Sequence, residues 1–132
     1  MNWKSIATTQ KEKYRTRIQT SGSHQFVVDE PISVGGADLG PNPSELVATA
    51  LASCTSITLK MYADRKGWNL DKIEVKVDFR WDAKTNTTKF FKEIRLEGNL
   101  DEFQKQRLNE ISAKCPIHKM LTNPIGIETL MV

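Results

Sequence analysis

The strictest pattern in the chain is an alternation in "KIEVKVDFRWD", residues 72–82, where Ile73, Val75, Val77, Phe79 and Trp81 stand between charged residues. A period of two puts the five apolar side chains on one face of a strand and leaves the other face to water. "AKTNTT" supplies a turn, and "KFFKEIRLEG" resumes the period with Phe90, Ile94 and Leu96, so the two runs predict an antiparallel hairpin. Nearer the N-terminus, "WKSIATT", "KYRTRIQT" and "HQFVVDEP" read as three short strands of a meander, with "SGS" at 21–23 turning the last two.

Between these β regions the period becomes helical. Asn42 is a natural N-cap, Pro43 suits the first helical position, Glu45 stands where a capping box places its acid, and Gly67 marks the end. Leu46, Val47, Ala50, Leu51, Cys54, Ile57, Thr58 and Met61 follow one face, while Ala48, Ala52, Leu59 and Ala63 make the opposite side apolar too. A helix apolar on all sides is expected to be buried on all sides. Its small residues at 48–53 allow close approach of another backbone, which in so short a chain can come from a second subunit. The preceding "PISVGGADLGPNP" is rich in Gly and Pro and reads as an irregular loop of the kind that borders sites.

A second helix is expected over "DEFQKQRLNEISAK", with Phe103, Leu108 and Ile111 at helical spacing. Four residues further, the stripe reaches Cys115, where Pro116 disfavours the α conformation and breaks the helix. "IGIETLMV" reads as a closing strand. The order βββ-α-ββ-α-β predicts an α+β fold in a single domain over 1–132, an antiparallel sheet packed on the long helix.

Composition narrows the function. A chain of 132 residues buries only about two-thirds of the surface its unfolded form exposes, so a partner subunit would help. Its net charge of +3 arises from 19 basic and 16 acidic residues that are interspersed, without the basic block of a nucleic-acid or membrane surface. The polar start lacks a secretory leader, and no apolar run approaches the roughly 20 residues of a membrane span, so a cytoplasmic protein is expected.

The chemistry rests on two cysteines, Cys54 and Cys115. An ordinary thiol is only about 3 % thiolate at pH 7, and the thiolate is the reactive form. Cys54 lies too deep in its helix to feel the helix end, so activation needs a cation. Arg15 and Arg17 share a strand face, and Arg65 and Lys66 lie near the exit of the Cys54 helix. Glu45 can orient an arginine through a two-pronged pair. On a regular helix, however, it lies opposite Cys54 and about 13 Å away along the axis, so it serves through a bridging side chain, a bend or a partner subunit. Other readings stand beside this one. Glu45 is equally explained as a cap. His24, Cys54, Cys115 and His118 together would furnish one four-ligand zinc site. A Cys–His acyl-transfer pair has no evident orienting Asn or Asp. Both cysteines also fit as small core residues in a non-catalytic dimer that binds an apolar ligand or partner.

The segments "GGADLGPNPSELVATALASCTSITLKMYADRKGW" and "LDEFQKQRLNEISAKCPIHKML" resemble the family of osmotically inducible protein C and the organic hydroperoxide resistance proteins, the OsmC/Ohr family. The markers are a G-x-N-P start to the helix that carries the first cysteine, and a second cysteine in a Cys-Pro step after a helix. The resemblance implies an OsmC-like fold, an intertwined homodimer with buried central helices, and active sites at the subunit interface. It implies a thiol peroxidase of stress defence that acts on organic hydroperoxides, with Cys54 attacking and Cys115 resolving, no cofactor or metal, and a dithiol or lipoyl-type reductant. It assigns the activating cation to Arg15, with Arg17 as alternative, and the orienting carboxylate to Glu45. The chain departs from the best-known peroxidases of the family in having Ser44 directly after the Asn-Pro step, with the glutamate one position later.

Overall fold

The computed structural model describes residues 3–132. The chain forms two compact units, one ending at Val47 and the other spanning Ala48–Val132.

In the first unit, β1 (Ser5–Thr9), β2 (Thr16–Thr20) and β3 (Gln25–Val28) make the expected antiparallel meander in the order β1-β2-β3. Register places Ile18 opposite Phe26 and Thr16 opposite Val28. Arg15 falls just before β2 rather than within it, because the chain is still turning at Lys13, whose φ is 52°. The loop after β3 is organised by a residue that its Gly and Pro content does not reveal. The Asp29 carboxylate is buried and accepts the N–H groups of Glu30 at 2.8 Å and of Ala37 and Leu39 at 3.2 Å each. Burial pushes this carboxyl up, but the three donors and the positive charge of Arg15 outweigh it and hold Asp29 below the ordinary carboxylate value. Gly36 is needed in the same loop, since a side chain there would strike the Glu30 carbonyl.

The long helix α1 runs from Pro43 to Lys66. The Asn42 side-chain oxygen accepts the Glu45 N–H at 2.8 Å, as an N-cap should, and Gly67 closes the helix in the left-handed conformation with φ 69°. Within this chain the helix buries one stripe, Leu51, Thr55, Leu59, Tyr62 and Ala63. Val47, Ile57 and Met61 remain exposed, so burial on all sides is not achieved by the chain's own residues. By length and composition α1 also reaches the minimum for a membrane span, a property shared with core helices.

In the second unit, β4 (Asn69–Asp82) and β5 (Thr87–Asn99) form the expected hairpin. Ile73, Val75, Val77 and Phe79 lie on its inward face, and Phe79 stacks on Phe90 with ring centres 4.7 Å apart. Trp81, at the open end of the same face, is exposed. Helix α2 (Glu102–Ile111) starts at Asp101, whose carboxylate accepts the Gln104 N–H while the Gln104 side chain accepts the Asp101 N–H, a complete capping box. The core joins Leu59, Tyr62 and Ala63 of α1 with Leu70 of β4 and Leu108 and Ile111 of α2. Fully burying a leucine such as Leu59 or Leu108 contributes about 1.5–3 kcal/mol. Phe103, expected in this stripe, is exposed, because α2 presents its Leu108–Ile111 side to the core.

After a 3₁₀ turn at Ser112–Lys114 the chain breaks at Cys115, as the following proline dictates, and then forms a helix that the sequence reading omits, α3 (Pro116–Thr122). Among the described residues, 124–132 pair with no strand, and Ile125, Ile127, Leu130 and Met131 are exposed. A strand exists only through a ladder partner, and the described residues offer the expected closing strand "IGIETLMV" none.

Candidate active site

Two cysteines distant in sequence are side by side in the second unit. Cys54 projects from α1 and Cys115 caps α3, and the two thiols are near enough to influence each other's ionisation while both remain free of disulfide. The break at Cys115 makes this possible. With φ −57° and ψ 133° the residue is extended, and its sulfur turns back to accept the His118 N–H at 3.3 Å. Cys115 is fully buried, whereas Cys54 is only partly so.

The two thiols are shifted in opposite directions. Burial pushes the Cys115 thiol up, but donors from Cys54, the His118 N–H, the Thr55 hydroxyl and the Ile117 N–H more than offset it, and Cys115 falls below the ordinary thiol value. Cys54 rises, through burial first and then through its bond to Cys115 and the charge that collects there, against weaker help from the Ile117 N–H and Thr58.

Beside the pair stands a residue that no motif marks. Lys92 occupies the inward face of β5 between Phe90 and Ile94, and its Nζ donates to the Ser112 carbonyl at 2.8 Å, His118 Nδ1 at 3.0 Å and the Thr55 hydroxyl at 3.3 Å. Burial lowers its pKa from the ordinary lysine value, and the negative charges of Cys115 and Cys54 oppose that drop. A lysine in phase with the apolar side of an alternating strand is the sequence signal that identifies it, since such positions normally face the core.

Of the remaining predicted residues, Arg15, Arg17, His24 and Glu45 lie in the first unit, and Arg65 and Lys66 in the second. Arg15 is paired with Glu12 and, with Arg17, lines a cavity of about 250 Å³ also bordered by Thr8, Gln10 and Val27. The two arginines border one cavity although Arg15 stands outside the strand, so the expected shared strand face is not what brings them together. Glu45 sits in the first turn of α1, where its N–H is capped by Asn42. Near the end of α1, the Arg65 guanidinium and the Lys66 ammonium each lie 5.7 Å from the Tyr62 ring centre. His24 lies at the β2–β3 turn of the first unit, its N–H on the Thr20 hydroxyl. Among the described residues no group of three or more His, Cys, Asp or Glu side chains is placed to hold a metal ion.

An antiparallel α+β chain with a long helix carrying one cysteine and a second cysteine at a broken helix end defines a class. Residues 35–130 match the family described as OsmC-like protein, and the chain belongs to that family. Solved structures share its fold. An OsmC-like protein from Mycoplasma pneumoniae has a TM-score of 0.76 at 16% identity, covering 92% of this chain and 87% of that one. An osmotic stress induced and detoxification response protein from Psychrobacter arcticus has a TM-score of 0.75 at 21% identity, covering 88% and 85%. The organic hydroperoxide resistance protein OhrB of Bacillus subtilis has a TM-score of 0.63 at 22% identity, covering 92% and 91%. No curated protein matches the chain significantly.

Proposed function

We propose that the chain is a thiol-dependent peroxidase that reduces organic hydroperoxides in oxidative and osmotic stress defence, with Cys54 as the attacking sulfur and Cys115 as the resolving one. The observation that carries this reading is the pairing of two free thiols near enough to influence each other's ionisation, only one of which is partly open to solvent. A thiolate that attacks the outer oxygen of a hydroperoxide becomes a sulfenic acid, and a second sulfur in contact converts it to a disulfide before further oxidation. In balance, two thiols and one hydroperoxide give a disulfide, an alcohol and water. A dithiol or lipoyl-type reductant then restores the thiols by exchange.

Arg15, oriented by Glu45, is assigned to stabilise the Cys54 thiolate once its proton has left. The working form in this reading is a cytoplasmic homodimer, a single domain over 1–132 in each copy, without metal, cofactor, nucleic acid or membrane. Support for the dimer comes from the exposed Ile57 and Met61 of α1, which with Leu70 and Ile73 line an open groove of about 450 Å³. Alkyl or aryl hydroperoxides are the substrate class in this reading, since each CH₂ buried on binding gains about 0.8 kcal/mol.

The test is to treat the reduced protein with cumene hydroperoxide and count free thiols. Loss of both thiols with formation of one intramolecular disulfide is expected. Retention of both would overturn the reading and leave a non-catalytic dimer with structural cysteines.

A further inference from the structure

The second cysteine sits where a helix is interrupted, and the interruption removes the donor that one carbonyl would otherwise have. In a continuing α-helix the Ser112 carbonyl would accept the N–H of residue 116, but Pro116 has none. Lys92 Nζ supplies a donor instead, at 2.8 Å, to a residue that is itself buried. The same ammonium reaches the other side of the break. His118 stands three positions after Cys115, as Ser112 stands three before it, and its Nδ1 accepts from Lys92 at 3.0 Å.

The remaining N–H goes to the Thr55 hydroxyl at 3.3 Å, on the residue that follows Cys54 in α1. An ammonium has three donors, and all three are engaged on the two segments that carry the cysteines. Lys92 is half-buried and joins none of the ion pairs among the described residues, so its hold is through these neutral acceptors. The histidine that it grips also orients the thiol, since the backbone N–H of His118 is donated to Cys115 Sγ at 3.3 Å. A disulfide tolerates only a narrow range of Cα separations, so a break free to shift would disfavour the bond.

We propose that Lys92 is a positioning residue for the second cysteine: by bridging Ser112 and His118 across the break and tying both to Thr55, it holds Cys115 where it can bond to Cys54. Which reaction delivers that bond rests on the peroxidase reading. There the Cys115 thiol meets the Cys54 sulfenic acid, the S–S bond forms as the S–O bond breaks, and the sulfenic hydroxyl leaves with the thiol proton as water. Lys92 exchanges no proton or electron in this step; it limits how far the second sulfur can stray.

The experiment equilibrates the full-length protein with mixtures of reduced and oxidised glutathione and measures the Cys54–Cys115 disulfide by mass after free thiols are trapped. Two protein thiols and one glutathione disulfide give one protein disulfide and two glutathione thiols, so no peroxide is needed. Lys92→Met keeps the aliphatic stem but no donor, and should lower the equilibrium constant for the disulfide by about tenfold, which is about 30 mV for a two-electron couple. Lys92→Arg, which keeps donors, should recover part of the loss. The sign separates positioning from charge. A lysine that only stabilised a thiolate would, when lost, weaken the reduced form and raise the constant. An unmoved or raised constant in folded Lys92→Met overturns the proposal. If that variant does not fold, His118→Leu, which removes the acceptor on α3 and leaves Lys92 in place, decides in the same way. Cumene hydroperoxide separates this inference from the reading beneath it. A Lys92-dependent equilibrium in a protein that does not turn over the peroxide overturns only the peroxidase, whereas turnover with a Lys92-independent equilibrium overturns only the role of Lys92.

Discussion

Lys92 Nζ lies 3.0 Å from Nδ1 of His118, a contact that fixes both the tautomer of the imidazole and the place of the ammonium. An ammonium can only donate, so Nδ1 must carry a lone pair, and the ring proton of neutral His118 is on Nε2. This ties the helix end that holds Cys115 to the strand opposite.

The histidine should therefore resist protonation. Burial first, and the positive charge of Lys92 second, hold His118 below its ordinary value of 6.5. A group with a depressed folded pKa contributes stability that is present above 6.5 and lost as pH falls through the lower folded value, because the unfolded chain takes up its proton first. Chemical denaturation across that window should show wild type weakening as pH falls. His118→Asn, which keeps an acceptor near the Nδ1 position but cannot titrate, should weaken less. Equal slopes would show that the contact with Lys92 does not govern the titration.

The two cysteines should fail differently. Cys54→Ser should abolish hydroperoxide turnover. Cys115→Ser should permit at most a single round and leave Cys54 open to sulfinic and sulfonic acid, visible as added oxygen by intact mass. Equal residual turnover in both variants would remove the assigned roles.

Arg15 offers a separate test of the first unit. If it stabilises the Cys54 thiolate, Arg15→Ala in a Cys115→Ser background should raise the apparent pKa for Cys54 alkylation by about one to two units. Turnover in the otherwise native chain should fall and recover in part at higher pH. Arg17, which lines the same cavity, provides the control. An unchanged alkylation profile in Arg15→Ala would leave Lys92 as the cation of the site.

The exposed side of α1 predicts association. Met61 is 65% exposed and Ile57 54%, in a helix of otherwise apolar composition. Sedimentation should show a homodimer at micromolar concentration, and Met61→Glu should shift it toward monomer, since a carboxylate would have to be desolvated in the interface. A wild-type chain that sediments as a stable monomer would defeat the dimer.

Local rules carried much of the fold. The alternation at Ile73, Val75, Val77 and Phe79 gave the hairpin, and Asn42, Pro43 and Gly67 bounded α1 through backbone groups that only neighbouring residues can satisfy. The break at Cys115 followed from the next residue's ring. Helix α3 was not legible in this way, because its seven residues carry too few apolar positions to show a period. The exposure of Phe103 escaped for the opposite reason: periodicity shows that a helix has an apolar face but not which of those residues the core can reach.

By itself, then, the sequence determined the element types, most of their ends, and the two sulfurs worth asking about, because each depends on contacts within a few residues. Only the tertiary structure decided that Cys54 and Cys115 come together and that Lys92 stands beside them, bonded to Thr55 and His118. These relationships join α1, β5 and α3 across long stretches of chain. How far a thiol is pushed up or down depends on every group packed around the sulfur, and no spacing along the sequence encodes that sum.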